Sequence, residues 1–254
     1  TRRYALRDDQ WERIKDFLPG QLGHVGANSK DNRLFVEAVL FRYRAGIPWR
    51  DLPERFGDFR VVHTRFSRWC KTGVWKRIFE TLAEDADNEY AMIDSTIVRA
   101  HQHSAGAKKK QPGEEAIGRS RGGLSTKIHA TVDALGNPTS FLLTPGQAHD
   151  LASADQLLPE VGAEMVIADK GTILKNSLSA SWEVWEESYY PVKSNAKEPR
   201  IFDERGKDLY EARHLIENFF ARLKQYRAIA TRYDKRAVHF LGAVYLAAIV
   251  VWLN

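Results

Sequence analysis

The spacing of apolar residues changes near residue 90, and this change constrains the fold more than any other feature of the sequence. Before it, apolar residues recur every three or four positions, which predicts short helices. We expect them over 7–18, from Asp31 or Asn32 to about Arg44, within DFRVVHTRFSRWCKTG, and over 74–86. After it, β-branched runs alternate with turn residues, which predicts strands. The sequence therefore indicates a small all-helical domain at 1–88 and an α/β domain at 89–254.

The second region predicts a mixed sheet with helices packed on its faces. YAMIDSTIVRA is typical of a buried strand, and LSTKIHATVDALGNPTSFLLTPG of a β-hairpin around the turn Gly136-Asn137-Pro138. We expect next a helix in HDLASADQLLPEVG, strands in AEMVIADKG and SYYPVK, and apolar C-terminal helices. Residues 102–123, rich in Gly, Lys and Arg, predict a basic mobile loop between the first strand and the hairpin.

Composition limits the class of protein. A 43% share of hydrophobic residues is enough for a core. The single cysteine, Cys70, excludes an internal disulfide and is typical of a reducing, cytoplasmic interior. The C-terminal run FLGAVYLAAIVVWLN is too short to span a bilayer comfortably, so we expect a buried helix and no membrane partner. The net charge of +5 fits an anionic partner such as nucleic acid, but ordinary surface charge explains it equally well.

The helices at 31–71 resemble a helix-turn-helix, because a Gly-containing turn joins the second helix to the third. In that interpretation the last helix directs basic and polar side chains towards a DNA groove: Arg60, His63, Thr64, Arg65 and Arg68. The alternative is a helical bundle that merely has a basic face.

Three carboxylates lie where the sequence predicts buried structure. Asp94 falls within one apolar strand, Asp169 closes another, and Glu217 borders the apolar face of a helix. A buried carboxylate is costly unless it is paired, hydrogen-bonded or bound to a metal. Each one alone is commonly a strand-end cap or a salt-bridge partner. Together they suit Mg²⁺ or Mn²⁺, and two such ions can serve phosphoryl transfer.

The helix YEARHLIENFFARLK has an unusual charge pattern, because Tyr210, Arg213, Glu217 and Lys224 border its apolar face instead of lying opposite it. A helix that packs on the sheet would hold these side chains at the sheet edge. Glu217 could then reach a metal, Arg213 and Lys224 phosphate oxygens, and Tyr210 a nucleotide. The pattern favours a phosphodiester site.

The spacing Tyr210-(2)-Arg213-(3)-Glu217-(6)-Lys224 resembles the Y-R-E-K signature of bacterial insertion-sequence DDE transposases. The segments GIPWRDLPERFG, MIDSTIVRAHQHSAGAKK, GRSRGGLSTKIHATVDALGNP, VIADKG and RHLIENFFARLKQYRAIATRYDK are similar to the insertion sequence five group, kin of the PIF/Harbinger elements. The resemblance implies an RNase H-like fold, with Asp94, Asp169 and Glu217 as a DDE triad that holds two Mg²⁺ or Mn²⁺ ions.

It also implies a reaction and partners. Arg213 and Lys224 would contact phosphates near the scissile bond, and Tyr210 would support the helix or a flanking nucleotide. The enzyme would nick double-stranded DNA at terminal inverted repeats and transfer the 3′-OH ends to target DNA, as a homodimer, in the bacterial nucleoid. Basic residues of the loop and hairpin would grip phosphate backbone: Lys108, Lys109, Lys110, Arg119, Arg121 and Lys127.

One segment departs from the family pattern. Thr172-Ile173 follows ADKG where the family usually has Tyr-Asp, and residues 172–188 look unlike the family. Two alternatives therefore stay open: a catalytically silent, transposase-derived DNA-binding protein, and a general metal-dependent nuclease. The pair His101 and His103 could bind zinc, although with one distant cysteine a solvated or DNA-facing role is favoured.

Overall fold

The computed structural model describes residues 4–21, 29–106, 115–148, 156–157, 163, 166–168 and 213–254. The chain forms two compact units. The helical unit comprises Thr1–Glu84, Val98–Glu115 and Arg222–Asn254, and the sheet unit comprises Asp85–Ile97 and Ala116–Ala221. These units cross the domain boundary predicted at residue 88, because the C-terminal segment belongs with the N-terminal helices.

The N-terminal helices agree closely with the sequence prediction. Helix α1 spans Asp8–Ile14 and continues into a 3₁₀ turn, Lys15–Phe17. Helix α2 spans Asn32–Ala45, and its cap is Asp31, whose side chain accepts a hydrogen bond from the Leu34 amide at 2.8 Å. Gly46 ends α2 with a φ of 73°, a left-handed conformation that glycine adopts without strain.

Helices α3 (Phe59–Lys71) and α4 (Val74–Ala83) follow two 3₁₀ turns, Trp49–Asp51 and Glu54–Phe56. The C-terminal part of the unit contributes α6 (Arg227–Ala230) and α7 (Ala237–Trp252). Helix α7 packs against α3 and α4, and its apolar side chains are almost all buried, so the expected buried terminal helix is confirmed. None of the helices in the described ranges combines the length and the apolar run that a bilayer crossing needs.

In the described part of the chain the sheet has six strands: β1 (Ala91–Ala100), β2 (Gly118–Ser120), β3 (Gly123–Val132), β4 (Pro138–Pro145), β5 (Val166–Ala168) and β6 (Thr231–Arg232). Its main order is β2-β3-β1-β5, with β4 also paired to β3 and β6 to β1. Strands β1 and β5 are parallel, whereas β3 and β4 are antiparallel. The predicted mixed sheet is therefore confirmed.

The predicted hairpin is also present, and Asp133 holds its turn together. This carboxylate is 1% exposed and accepts hydrogen bonds from the amides of Leu135 at 3.0 Å and Asn137 at 2.7 Å. Gly136 has a φ of 82° within the turn. Helix α5, His214–Lys224, follows in the described part of the chain and matches the predicted helix from residue 214 onward.

The prediction of an irregular loop over 102–123 was wrong at both ends. Residues Gln102–Gly106 form a 3₁₀ helix, and Gly118–Ser120 form β2, which pairs with β3. This pairing depends on a partner strand, so local composition did not indicate it. The predicted elements within 149–155 and 188–193 lie outside the described residues, as do residues 107–114.

Candidate active site

The candidate active site begins with Asp94 on β1. The three residues before it, Ala91–Ile93, are buried, and Asp94 itself is half-buried. Its Oδ1 accepts a hydrogen bond from the Ser95 amide at 2.7 Å. A strand carboxylate at this depth is costly unless hydrogen bonds or a cation compensate its charge. Asp94 is therefore suited to be a cation ligand.

The residues that precede the two predicted aspartates are paired with each other. Strand β5 pairs in parallel with β1, and the last described pair joins Ile93 to Ala168. Asp94 follows Ile93 in the sequence, and Asp169 follows Ala168. Asp169 itself lies outside the described residues.

Glu217 lies in the first turn of α5, where its charge is favoured by the helix dipole. Its Oε1 accepts a hydrogen bond from Nη2 of Arg213 at 3.0 Å. The Glu217 side chain is 61% exposed and that of Arg213 is 17% exposed. An exposed ion pair contributes little stability, so Glu217 can exchange this partner for a ligand at low cost.

Apolar contacts of α5 with the β3–β4 hairpin position this helix. The rings of Phe219 and Phe141 on β4 lie 5.7 Å apart between centroids, and Ile216 is fully buried. A Cβ added at Gly136 would lie 3.2 Å from the Cβ of Leu215, so the turn approaches the helix closely. The apolar face thus packs as predicted, and Glu217 stays at its exposed border.

The donor chemistry of the site fits a hard divalent cation. Asp94 and Glu217 each carry carboxylate oxygens, which are the ligands that Mg²⁺ and Mn²⁺ prefer. Within the described ranges, no group of three or more His, Cys, Asp or Glu side chains is arranged to hold a metal ion. The third predicted ligand, Asp169, is outside those ranges, so the complete triad stays a prediction.

The predicted DNA-contacting residues of α3 differ in their surroundings. Arg60 and Arg68 are exposed. The guanidinium of Arg65 instead stacks over Phe35 at 4.3 Å and Trp69 at 4.7 Å, measured to the ring centroids. It also donates hydrogen bonds to the Ser29 hydroxyl at 3.0 Å and to the side-chain oxygen of Asn32. Arg65 therefore serves the packing of the helical unit, whereas Arg60 and Arg68 face solvent.

The other predicted DNA-contacting residues are also distributed unevenly. Arg119 and Arg121 are exposed near the β2–β3 turn, and Lys224 is exposed on the last turn of α5. Lys127 is 8% exposed, and its ammonium donates to the Ala148 carbonyl at 2.8 Å. Tyr210 and the three lysines at 108–110 lie outside the described residues. Their contacts with DNA stay predictions.

The helical unit contains a buried ionic cluster of Arg42, Tyr43, Arg232 and Asp234, which the sequence did not indicate. Nη1 of Arg42 lies 3.6 Å from Oδ2 of Asp234, which also accepts a hydrogen bond from the Tyr43 hydroxyl at 3.1 Å. Arg232 is fully buried, and this burial lowers its pKa to about 10, an effect that Asp234 partly offsets. Charged residues are normally exposed, so no local pattern marked these positions.

Comparison with known proteins assigns the family. Residues 87–253 match the family model "Transposase DDE domain", and residues 6–79 match "Putative transposase of IS4/5 family". The chain therefore belongs to the DDE transposase family, whose members cut and join DNA. The predicted fold class is thereby confirmed: a helical N-terminal region followed by an RNase H-like mixed sheet flanked by helices.

Individual relatives agree with this assignment. The chain is 53% identical over 109 residues to an uncharacterized protein of Sinorhizobium fredii, which covers 43% of the chain and 87% of that relative. It is 38% identical over 139 residues to a Brucella ovis protein named "Putative transposase for insertion sequence element IS6501". That alignment covers 52% of the chain and all of the relative. A chain of the pre-cleavage Mos1 transpososome aligns over 96% of this chain and 86% of its own length, at 11% identity and a TM-score of 0.24. This TM-score is too low to support an inference.

Proposed function

We propose that this transposase nicks DNA at the terminal inverted repeats of an insertion sequence and transfers the freed 3′-OH ends to target DNA. The observation that carries the proposal is the half-buried Asp94 on β1, beside β5, within the residues that match the DDE domain. The resemblance to the insertion sequence five group, with its Y-R-E-K signature and its PIF/Harbinger kin, supports the choice of substrate.

Both chemical steps are in-line displacements at phosphorus. In the first, water attacks a phosphodiester at the element end, the bond from phosphorus to the 3′ oxygen breaks, and the products are a 3′-OH and a 5′-phosphate. In the second, that 3′-OH attacks a phosphodiester of the target, one phosphorus–oxygen bond forms, and one breaks. In each step the attacking water or 3′-OH loses a proton and the leaving 3′ oxygen takes one up, directly or through solvent. No covalent protein–DNA bond is needed.

Asp94, Asp169 and Glu217 would hold two Mg²⁺ or Mn²⁺ ions. When bound, these ions stabilise the negative charge that develops on the attacking and leaving oxygens. Pairing of Ile93 with Ala168 supports the proposal that the two aspartates act together. If the Glu217 carboxylate held a cation, Arg213 would be free to exchange its carboxylate partner for a DNA phosphate, and Lys224, on the last turn of α5, would add a second phosphate contact. Tyr210 would support a flanking nucleotide, as the family resemblance implies.

We further propose that residues 1–88 bind the element ends and residues 89–254 catalyse the reaction. Exposure of Arg60 and Arg68 on α3 supports a role in DNA binding. Arg119 and Arg121, with Lys108–Lys110 and Lys127, would add phosphate contacts. Because two ends must be cut and joined together, the active species would be a homodimer on double-stranded DNA in the bacterial cytoplasm.

The experiment that tests this function maps strand breaks in element-end DNA with Mg²⁺. The wild type is compared with Asp94→Asn, Asp169→Asn and the control Asp85→Asn, an exposed carboxylate of the same unit. Breaks at the element boundary in the wild type and control, absent from both active-site variants, would support the proposal. Boundary-specific binding without breaks in Mg²⁺ or Mn²⁺ would indicate a silent DNA-binding protein. Breaks without preference for the boundary would indicate a general nuclease.

A further inference from the structure

A cavity of about 620 Å³ lies within the helical unit, and neither Asp94 nor Glu217 is among its lining residues. Its lining comes from four segments: the end of α2 with the following 3₁₀ turn, the start of α3, the residues after β1, and the residues before α7. Aromatic and cationic side chains line it, among them Arg42, Trp49, Arg50, His101, Tyr233 and Lys235. A cavity of this size is in the range of small-molecule sites.

Aromatic rings form one part of this cavity. The side chain of Tyr233 is 41% exposed and stacks on His101, with ring centroids 4.7 Å apart and planes inclined by 27°. His103 lies 4.6 Å from His101 in an edge-on arrangement. Trp49 is half-buried and packs against Tyr43 and Phe66. An exposed, stacked tyrosine provides a flat apolar surface on which another planar ring can bind.

Positive charge forms the other part. Arg42 is 4% exposed, and its Nε and Nη1 have no hydrogen-bond acceptor among the described residues. Asp234, 3.6 Å from Nη1, compensates the charge of Arg42, but buried N–H donors without hydrogen-bond acceptors are still unusual and costly. Arg50 and Lys235 are exposed beside it, and the described lining residues include no carboxylate. The cavity therefore favours an anionic ligand, and a phosphate is the anion whose shape an arginine fork matches.

A metal ion is a poor occupant for the same cavity. Three of its lining residues are histidines, but no group of three potential ligands in the described chain is arranged to hold a metal. Partial burial lowers the pKa of the His63 ring, and the positive charge of Arg42 adds to this decrease. The negative charge of Asp234 offsets part of it. A neutral imidazole here can exchange hydrogen bonds with a polar ligand.

We propose that this cavity binds one nucleotide, with its base stacked on the Tyr233 side and its phosphate held by Arg42, Arg50 and Lys235. Aromatic rings and cations in one concave site are the combination that nucleotides require. A free deoxynucleotide and an unpaired nucleotide of a DNA strand share this chemistry. The expectation that the nucleotide comes from DNA rests on the proposed function, whereas the chemistry of the cavity does not.

Calorimetric titration of deoxyadenosine monophosphate into the protein tests whether the cavity binds a nucleotide. Deoxyadenosine and inorganic phosphate are titrated as the two halves of the ligand. We expect Tyr233→Ala and Arg50→Ala/Lys235→Ala each to raise the dissociation constant roughly tenfold, since stacking and phosphate contacts have this magnitude. The matched control is Lys76→Ala/Arg77→Ala, which removes two exposed charges of α4 outside the cavity and should leave the dissociation constant unchanged.

A second arm distinguishes the source of the nucleotide. Oligonucleotides carry 2-aminopurine, a base whose fluorescence falls when it stacks, either in a fully paired duplex or at an unpaired position. Quenching only at the unpaired position, lost in Tyr233→Ala, would identify a DNA nucleotide. Binding of the free mononucleotide without such quenching would identify a free nucleotide.

Other outcomes would overturn the proposal. They are no binding of the mononucleotide or oligonucleotide to the wild type, equal binding of inorganic phosphate and the mononucleotide, or equal weakening in the control variant. Failure of the proposed function would be seen separately. Asp94→Asn should bind the mononucleotide as the wild type does, so an absence of DNA cleavage leaves this titration interpretable.

Discussion

Two arginine–carboxylate pairs in this molecule differ more in burial than in distance. Arg42 and Asp234, in the helical unit, lie 3.6 Å apart with side chains 5% and 8% exposed. Arg213 and Glu217, in the sheet unit, lie 3.0 Å apart with side chains 17% and 61% exposed. The shorter pair is the more exposed one. Distance alone therefore does not indicate which pair the fold depends on.

Solvation explains the difference between the two pairs. Removal of one partner from a buried pair leaves an uncompensated charge without water, which strongly destabilises a protein. Removal of one partner from an exposed pair leaves a hydrated charge, which costs little. We infer that Arg42–Asp234 maintains the helical unit, whereas Arg213–Glu217 can separate when a ligand binds.

The largest expected effect tests the function of the exposed pair. Glu217→Gln should lower the rate of cleavage at element ends by about 1000-fold or more, because loss of a cation ligand costs several kcal/mol of transition-state stabilisation. Its free energy of unfolding, from urea titration, should change by less than about 1 kcal/mol. A rate within tenfold of the wild type would show that Glu217 is not part of the triad.

The buried pair should show the opposite behaviour. Asp234→Asn keeps the size of the side chain and an acceptor for the Tyr43 hydroxyl, but it leaves Arg42 without its carboxylate partner. We expect the free energy of unfolding to fall by about 3–5 kcal/mol. Asp9→Asn, which breaks an exposed pair with Arg7 in the same unit, is the control and should change nothing measurable. Equal decreases in the free energy of unfolding for Asp234→Asn and Asp9→Asn would show that the buried pair contributes no more to stability than an exposed pair.

Arg213 offers a smaller and more selective test. Arg213→Gln should lower the free energy of unfolding by about 1–2 kcal/mol, because Glu217 is 61% exposed but the Arg213 side chain is only 17% exposed. If Arg213 contacts a phosphate, the affinity for element-end DNA should fall and should depend less steeply on salt concentration. Fluorescence anisotropy at several salt concentrations measures both. An unchanged salt dependence would argue against a phosphate contact.

The smallest expected effect is a pH dependence of the helical unit. Burial lowers the pKa of His239, and the negative charge of Asp234 offsets part of this decrease. Nε2 of the ring lies 2.9 Å from the Ser67 hydroxyl, with which it shares a hydrogen bond. The folded-state pKa lies below the unfolded value of about 6.5, so the unfolded chain binds more protons in acid. Stability should therefore be complete above pH 6.5 and fall as the pH decreases below it. In His239→Gln, urea midpoints between pH 7.5 and 5 should vary less than in the wild type, and equal variation would contradict the assignment.

The sequence predicted those features that neighbouring residues decide. Asp31 caps α2 as expected, and the turn at Gly136-Asn137-Pro138 separates β3 from β4. Asp94 and Glu217 stood out because each is a carboxylate at the border of an apolar element. Asp169 and Tyr210 lie outside the described residues, so their roles stay predictions.

Features that depend on distant contacts were not predicted. Strand β2 has only three residues and exists because β3 pairs with it. Burial of Arg232 and Asp234 depends on side chains contributed by α2, far away in the sequence. The cavity beside them combines four such segments, and no single segment carries a pattern that indicates a site.

The first helix is tied to the last residues of the chain. Arg13 donates to the Trp252 carbonyl at 3.1 Å, and Gln10 donates to the Leu253 carbonyl at 3.4 Å and to the Asn254 side chain at 3.1 Å. During synthesis, α1 leaves the ribosome long before these acceptors are translated. Helix α3 likewise emerges long before α7, against which it packs. The helical unit therefore completes its folding only after Trp252, Leu253 and Asn254 have been translated. A ribosome that stops before these residues would release a chain that cannot complete the helical unit.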